Sequence, residues 1–386
     1  MAEKHVEERL RSMKSRSHQK VVAMARQMDQ VINLGGGDPD FDTPRHITDA
    51  LLTAVKEGKT HYPPTHGLPA LRKAIAEYHC KHGVDWTPSE TMVTAGSGVS
   101  LFASMTGTLN PGEEVILLEP YFMDYSDLVE YCGAKEVGVA LDEEKEYRLD
   151  AEALNERVTE KTKMIVLCNP NNPSGTVFSK RELMAIADIA KDNDLMVLSD
   201  EVYCEFTWDG RKHTSIASLP EMKERTIISS SFSKTFAMTG WRLGYVLADD
   251  PIVKRLQKIP LGYRTNTFVQ VAGVVALEGP WEPIEEMINE YDERRRFMVP
   301  RLNEVDGLRC HMPEGAFYLF PSLRDLKKGS EAFCESLLRE KKILARPGTA
   351  FGETGEYHMR IPLIKPVETL ERIAKDIEDH VRGMTY

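Results

Sequence analysis

The middle half of the chain alternates short, unbroken runs of Val, Ile and Leu with stretches of helical periodicity. "TMVTAG" runs into "SGVSLFASMTGTL", "EEVILLEPYF" precedes "MDYSDLVEYCG", "KMIVLCNPNNPSG" precedes "KRELMAIADIAKDND", "LMVLSDEVY" follows at once, and "RTIISSSFSK" and "WRLGYVLAD" come further on. A strand with one wet face alternates apolar and polar residues, whereas a strand covered on both faces reads as a continuous apolar run. The pattern therefore predicts an α/β core around a mostly parallel sheet. From about Pro283 it gives way to a long charged helix, "EPIEEMINEYDERRRFMVPRLNEV", then to short strands such as "AFYLFPS" and further helices. The expected organisation is a large α/β domain over 46–282 and a smaller α+β domain over 283–386. An N-terminal helix and loop, 1–45, join the smaller domain.

In an open α/β sheet ligands bind beyond the carboxyl ends of the strands, so the residues that follow each run carry the functional information. After "TMVT" comes "AGSG", where amides at a helix N-terminus suit a phosphate; a simple tight turn would read the same. After "MIVLC" comes "NPNNPSG", after "LMVLS" comes Asp200 with Tyr203 one helical turn on, and after "TIISS" comes "SFSK" with Lys234. Taken singly, an Asp or Tyr at a strand end is a helix cap or a core hydrogen bond. Together these polar groups point to a ligand site.

Lys234 sits in "SSSFSKTFAMTGWRLGY", residues 229–245, flanked by Phe232, Phe236, Ala237 and Met238. A desolvated lysine amine is a nucleophile toward carbonyls and forms a Schiff base. Pyridoxal phosphate offers the matching aldehyde, and its other handles account for the neighbouring residues. Its phosphate needs an anion nest and an arginine, here Arg242; its ring nitrogen needs a carboxylate, here Asp200. Its phenolic oxygen needs donors, for which Tyr203 and Asn172 are candidates.

These residues carry a resemblance. "SSSFSKTFAMTGWRLGY" resembles the lysine motif of the class I/II aminotransferases, fold type I of the pyridoxal-phosphate enzymes, and especially the bacterial and archaeal aspartate and aromatic aminotransferases. "LGGGDPDFDTP", "THYPPTHGLPALRKAIA", "NPNNPSG", "SDEVY" and "HMRIPLI" resemble further blocks of that family in family order, over nearly the whole chain. The resemblance implies a large domain with a mostly parallel seven-stranded sheet plus a smaller α+β domain, a homodimer with shared active sites, and pyridoxal 5'-phosphate as cofactor. The implied reaction moves an amino group between an L-amino acid, aspartate or an aromatic one, and a 2-oxo acid, 2-oxoglutarate.

By that resemblance Lys234 is the imine lysine and the acid/base at the substrate Cα, Asp200 pairs with the ring nitrogen, and Tyr203 and Asn172 bond the ring oxygen. Ser231 and Arg242 bind phosphate with the amides of Ser97 and Gly98, Phe122 stacks on the ring, and Tyr62 reaches the phosphate of the neighbouring subunit. Arg360 grips the substrate α-carboxylate, and Gly37 lies in a substrate-facing loop. An isolated aromatic such as Phe122 would otherwise read as core. Arg360 would read as half of a surface ion pair, but "HMRIP" puts it in an apolar strand where an unpaired guanidinium is costly. "ERRR", 293–296, reads as a solvated helix face.

Two segments depart from the family pattern. "KSRSHQK" brings Arg16 and His18 after the first helix, and "GYRTNT" brings Arg264. Such a cation suits a distal carboxylate, favouring dicarboxylic substrates; a surface or dimer-interface arginine reads the same way.

Composition excludes other classes. The net charge of −11 argues against nucleic-acid partners. The charged start, "MAEKHVEERLRSMKSRSHQK", lacks a signal-peptide core and no apolar run reaches membrane-spanning length, so a cytoplasmic protein is expected. The six cysteines are scattered with no C-x-x-C pair, and read as reduced and mostly buried. No bound metal is expected. A nicotinamide dehydrogenase would need a G-x-G-x-x-G turn that the first strand lacks. A C–S β-lyase on the same scaffold, and a ligand-sensing regulator that keeps an aminotransferase-like fold, are the competing functions.

Overall fold

The computed structural model describes residues 18–260 and 265–384; Arg16, Arg264 and the side chain of His18 lie outside the described residues. Seven strands form the central sheet: β2 (Thr91–Thr94), β3 (Glu114–Glu119), β4 (Lys135–Ala140), β5 (Thr162–Cys168), β6 (Met196–Asp200), β7 (Thr226–Ser231) and β8 (Gly244–Leu247). Their order is β2-β8-β7-β6-β5-β3-β4. Every pairing is parallel except those of β8, which runs antiparallel to both β2 and β7. This is the seven-stranded, mostly parallel sheet that the resemblance implies.

The continuous apolar runs have a physical cause. Val115 and Leu117 of β3 and Met164 and Val166 of β5 pack into one hydrophobic cluster, while Ile116, Leu118, Ile165 and Leu167 pack into a second. Successive side chains point to opposite faces, and both faces are covered by helices. The parallel register lines up the strand ends: Cys168 pairs with Asp200, and Asp200 with Ser229.

Outside the sheet, β1 (Ile32–Asn33) pairs in parallel with β10 (Ile343–Leu344), and the helix His18–Ala25 buries Val21 and Ala25 against Leu338 and Leu344. A three-stranded antiparallel sheet has the order β11-β12-β9, from β9 (Tyr318–Leu319), β11 (Arg346–Pro347) and β12 (Met359–Pro362). Arg346 of β11 lies directly opposite Arg360 of β12. Among the described residues no helix is long and apolar enough to cross a membrane. All six cysteines are free, and five of them are buried.

The charged helix spans Glu282–Asn303, but its arginines correct the sequence reading. Arg294 and Arg295 are 3% and 1% exposed, so only part of "ERRR" is a solvated face. Arg294 donates to Asp40 at 2.7 Å and to the Leu363 carbonyl at 2.8 Å, over the ring of Phe41. Arg295 donates to Asp209 at 3.0 Å and to the Pro313 carbonyl at 2.8 Å, beneath Trp208. Besides Glu290 and Asp292 on the same helix, their partners come from distant segments, which a local charge pattern does not reveal.

Directly after β6, Glu201 is fully buried and accepts hydrogen bonds from Ser199, Ser215 and His213. Burial raises its pKa, but His213, His79 and the Ser215 hydroxyl together outweigh that and hold the carboxyl down at about 2. A depressed carboxyl contributes stability above its unfolded pKa and loses that contribution as pH falls through the folded one. The contribution here is on the order of 3 kcal/mol at neutral pH. Glu201→Gln should therefore lower stability clearly at pH 7, and the gap from wild type should narrow as acid is added between about pH 4.5 and pH 2. Urea denaturation of both proteins across that window measures this; a gap independent of pH would show that the carboxylate charge is not what matters.

Candidate active site

A cavity of about 370 Å³ opens at the carboxyl ends of the strands. Gly37, Ser97, Phe122, Asn172, Asp200, Tyr203, Lys234, Arg242 and Arg360 line it. Of the residues expected from sequence, Gly98 and Ser231 are not among the lining residues, and Tyr62 lies elsewhere on the surface with its ring 84% exposed.

Lys234 follows β7, and its ammonium donates to the carbonyl of Gly37. Burial lowers its pKa to about 8, against the opposing field of Asp38. A substantial fraction of the amine is then neutral, hence nucleophilic, near physiological pH. Asp200, at the end of β6, is buried and accepts from the Tyr125 hydroxyl at 2.7 Å and the Val202 amide at 3.3 Å. Burial raises its pKa to about 6, with the Tyr125 bond pulling the other way. Among the described residues it has no ion-pair partner, so the site contains a desolvated carboxylate suited to a cationic group.

Ser97 opens the helix Ser97–Thr108, whose first amides have no intrahelical acceptor. The loop before it is tightly fitted. Gly96 has φ +90°, and a Cβ there would sit 2.5 Å from the Arg242 guanidinium. A Cβ on Gly244 of β8 would sit 2.5 Å from the Gly96 carbonyl carbon. These two glycines let β8, the Arg242 side chain and the helix N-terminus come together. Arg242, itself at φ +54°, donates to the carbonyls of Thr239 and Ala95 at 2.9 and 3.4 Å. Positive backbone φ at a non-glycine residue is a form of strain that concentrates at functional sites. Ser231 accepts from the Ser233 amide at 3.3 Å just below this loop.

On the opposite wall a buried polar chain runs from Tyr318 to Tyr203 at 2.7 Å, and from the Asn172 amide to Tyr203 at 3.5 Å. Arg360 then donates to Asn172 at 3.1 Å and to the Gly35 carbonyl at 3.0 Å. Its guanidinium lies over Tyr318 and is 2% exposed, with Nε unpaired. A buried guanidinium with an unpaired N–H and no carboxylate partner among the described residues has spare capacity for an anion. Gly37 is fixed by contact: a Cβ there would lie 1.9 Å from the Tyr318 hydroxyl. Phe122 packs edge-on against Tyr125.

Three side chains of the site escape sequence reasoning. Tyr125 and Tyr318 belong to aromatic-rich segments that read as core, and only the tertiary fold points their hydroxyls at Asp200 and Tyr203. Arg346 also lines the cavity. A signal for it exists, a cation in the apolar stretch "KKILARPGTAF", the same argument that identifies Arg360.

The donor set fits pyridoxal phosphate. The unpaired buried Asp200 suits a protonated ring nitrogen, the free helix amides with Arg242 suit a phosphate, and Lys234, with its lowered pKa, is placed to meet an aldehyde.

A family model described as aminotransferase class I and II matches residues 29–377. The chain is 44% identical over 369 residues to an aspartate aminotransferase of Pyrococcus abyssi, covering 94% of this chain and 95% of that protein. It is 41% identical over 377 residues to aromatic-amino-acid aminotransferase 2 of Thermococcus litoralis, covering 96% and 97%. The crystal structure of an aromatic aminotransferase from Pyrococcus horikoshii superposes with a TM-score of 0.90 at 42% identity, covering 95% of this chain and 99% of that one.

The lowered lysine pKa makes a measurable difference. In cofactor-free protein, borohydride trapping of pyridoxal phosphate on Lys234 should gain rate as pH rises through about 8 and then level off, rather than rising toward 10.5 as for a solvated lysine. Peptide mapping checks the position, and Lys234→Ala should remove the labelled peptide. Label on a different lysine, or a rate that keeps climbing into the ordinary lysine range, would contradict the assignment.

Proposed function

The chain belongs to the class I and II aminotransferases, and from that premise we propose that it moves an amino group between an L-amino acid, aspartate or an aromatic one, and 2-oxoglutarate on pyridoxal phosphate. One observation supports this above the others: a lysine with a depressed pKa and a buried carboxylate without a cation face the same cavity. The activities for which the two relatives are named, on aspartate and on aromatic amino acids, support the choice of donors.

When bound, pyridoxal phosphate supplies an aldehyde for an amine and an electron sink for the pair released at the substrate Cα. In this proposal Asp200 keeps the ring nitrogen protonated, aided by the hydrogen bond from Tyr125 that keeps its carboxylate oriented. Arg242, Ser231 and the amides of Ser97 and Gly98 bind the phosphate. Tyr203 and Asn172 donate to the ring oxygen, and Phe122 covers the ring face. Lys234, once free, would take the proton from the substrate Cα and deliver it to the cofactor's former aldehyde carbon. Arg360 binds the α-carboxylate bidentately, and Gly37 leaves room beside it. Residues 46–282 form the cofactor-holding domain in this reading, and 283–386, joined by 1–45, the smaller one.

The test is a panel of amino donors with 2-oxoglutarate, scored by glutamate formed, alongside Asp200→Ala. Wild type should form glutamate stoichiometrically with the new oxo acid, and Asp200→Ala should retain cofactor but lose at least about two orders of magnitude in rate. Pyruvate and ammonia released without an added oxo acid would instead indicate a β-lyase. A near-native rate in Asp200→Ala would remove the carboxylate from the mechanism.

The exposure of Tyr62 supports a homodimer in which that ring serves the neighbouring site. Inactive Lys234→Ala and impaired Tyr62→Ala should then regain activity when mixed and allowed to exchange subunits, because one hybrid site carries neither change. No recovery after exchange proven by mass spectrometry would mean that each site is built within one chain.

A further inference from the structure

Arg346 is a third guanidinium in the cavity, beside Arg242 and Arg360, and the reaction common to all amino acids has no role for it. It faces Arg360 directly across the antiparallel β11–β12 pair, so both side chains rise from the same face of that small sheet. Like charges directly opposite each other on a sheet destabilise it. Here the pair is tolerated with only a carbonyl to share. Arg346 donates through Nε and Nη2 to Gly35 O at 2.9 and 2.6 Å, and Arg360 donates to the same oxygen at 3.0 Å. Neither has an ion-pair partner among the described residues. Buried cations in folded proteins are ordinarily matched by a carboxylate or phosphate; among the described residues the buried Arg294 and Arg295 are matched by Asp40 and by Asp209 with Asp292, whereas the buried Arg360 and the half-buried Arg346 are not.

Burial, with Arg360 adding to it, lowers the Arg346 pKa to about 10, only partly offset by the field of Asp124. The side chain therefore remains charged at neutral pH in an unmatched environment. One carboxylate satisfies Arg360; a substrate with one carboxylate leaves Arg346 unmatched.

We infer that Arg346 is the residue that selects dicarboxylic substrates, binding the distal carboxylate of an amino or oxo acid whose α-carboxylate lies on Arg360. This deepens the aminotransferase reading and rests on it for the role of Arg360. It also moves the second cation away from Arg16 and Arg264, the sequence candidates, to a side chain seen to line the cavity. The planar fork of arginine suits a carboxylate bidentately, and the shared Gly35 carbonyl holds that fork in place beforehand.

The experiment compares Arg346→Met with wild type in two ways, on cofactor-loaded enzyme. The first is calorimetric binding of glutarate and of butyrate, unreactive probes with two carboxylates and one. The second is the ratio of kcat/KM for glutamate to that for alanine. Wild type should bind glutarate more tightly than butyrate, and Arg346→Met should erase that preference and lower the kcat/KM ratio by roughly 30-fold or more, the effect of removing one partner of a desolvated carboxylate pair. Arg346→Lys should recover part of both. An unchanged glutarate preference, or equal losses for both probes and both amino acids, would overturn the inference and leave Arg346 as a support for Gly35. If no amino acid were turned over at all, the aminotransferase reading would fail, but the glutarate and butyrate titrations would still decide the role of Arg346.

Discussion

Lys234, Asp200, Arg346 and Arg360 have to share one cavity without cancelling each other. If the amine and the carboxylate paired directly, neither would be available to a ligand, and in a low-dielectric pocket such a pair would be hard to open. The fold avoids this with neutral partners. Lys234 donates to the Gly37 carbonyl, Asp200 accepts from the Tyr125 hydroxyl, and the two guanidiniums share the Gly35 carbonyl. Each of these bonds joins one charged group to a neutral one and contributes about 1.5–3 kcal/mol net, less than a two-way charge-assisted pair with a ligand can supply. Each neutral partner can thus orient its charge and still give way to a charged ligand group. The shifted pKa values of Lys234 and Asp200 record the same arrangement: burial moves each toward its neutral form, and the opposing fields, of Asp38 on the amine and of Lys234 on the carboxylate, do not offset it.

The sheet places these groups. Parallel register brings Cys168, Asp200 and Ser229 level with one another, so the residues that follow β5, β6 and β7 emerge on one rim. β8 runs the other way between β2 and β7, which brings Gly244 against the backbone of Gly96 and Ser97. A side chain at that position would push the loop off the strand. The position of the helix N-terminus, and with it the amides beside Arg242, depends on an atom that glycine lacks.

Much of this is legible in the sequence, for identifiable reasons. Continuous apolar runs report a sheet covered on both faces, and residues after those runs have to lie on its rim, so the order of residues along the chain is enough to group Asp200, Tyr203, Asn172 and Lys234. Contacts between distant segments are not legible. Tyr125 looks like one more aromatic on a helix, yet its hydroxyl reaches Asp200 seventy-five residues away. "ERRR" looks solvated because a charge pattern says nothing of Asp40, Asp209 or Leu363 folding over it. Gly98 and Ser231, named by resemblance, are not among the residues that line the cavity; Gly98 is exposed at the helix N-terminus with open space beside its Cα.

Arg294, which the charge pattern assigns to solvent, matters for the residues that line the cavity. The loop that carries the Gly35 and Gly37 carbonyls is tied on one side to the segment after Lys234, through Thr239 to Asp38 at 2.6 Å and Thr43 to the Ala237 carbonyl at 2.7 Å. On the other side Arg294 holds Asp40 of the same loop and the Leu363 carbonyl just beyond β12. The loop therefore has fixed positions relative to both the lysine and the strand of Arg360. Its two carbonyls can act as placeholders for charged groups only because they cannot drift toward one at the expense of the other. A buried ion pair adds little to stability over an apolar substitute, so the value of Arg294 lies in the geometry it imposes: it sets the distance between the amine and the guanidiniums that a substrate must span.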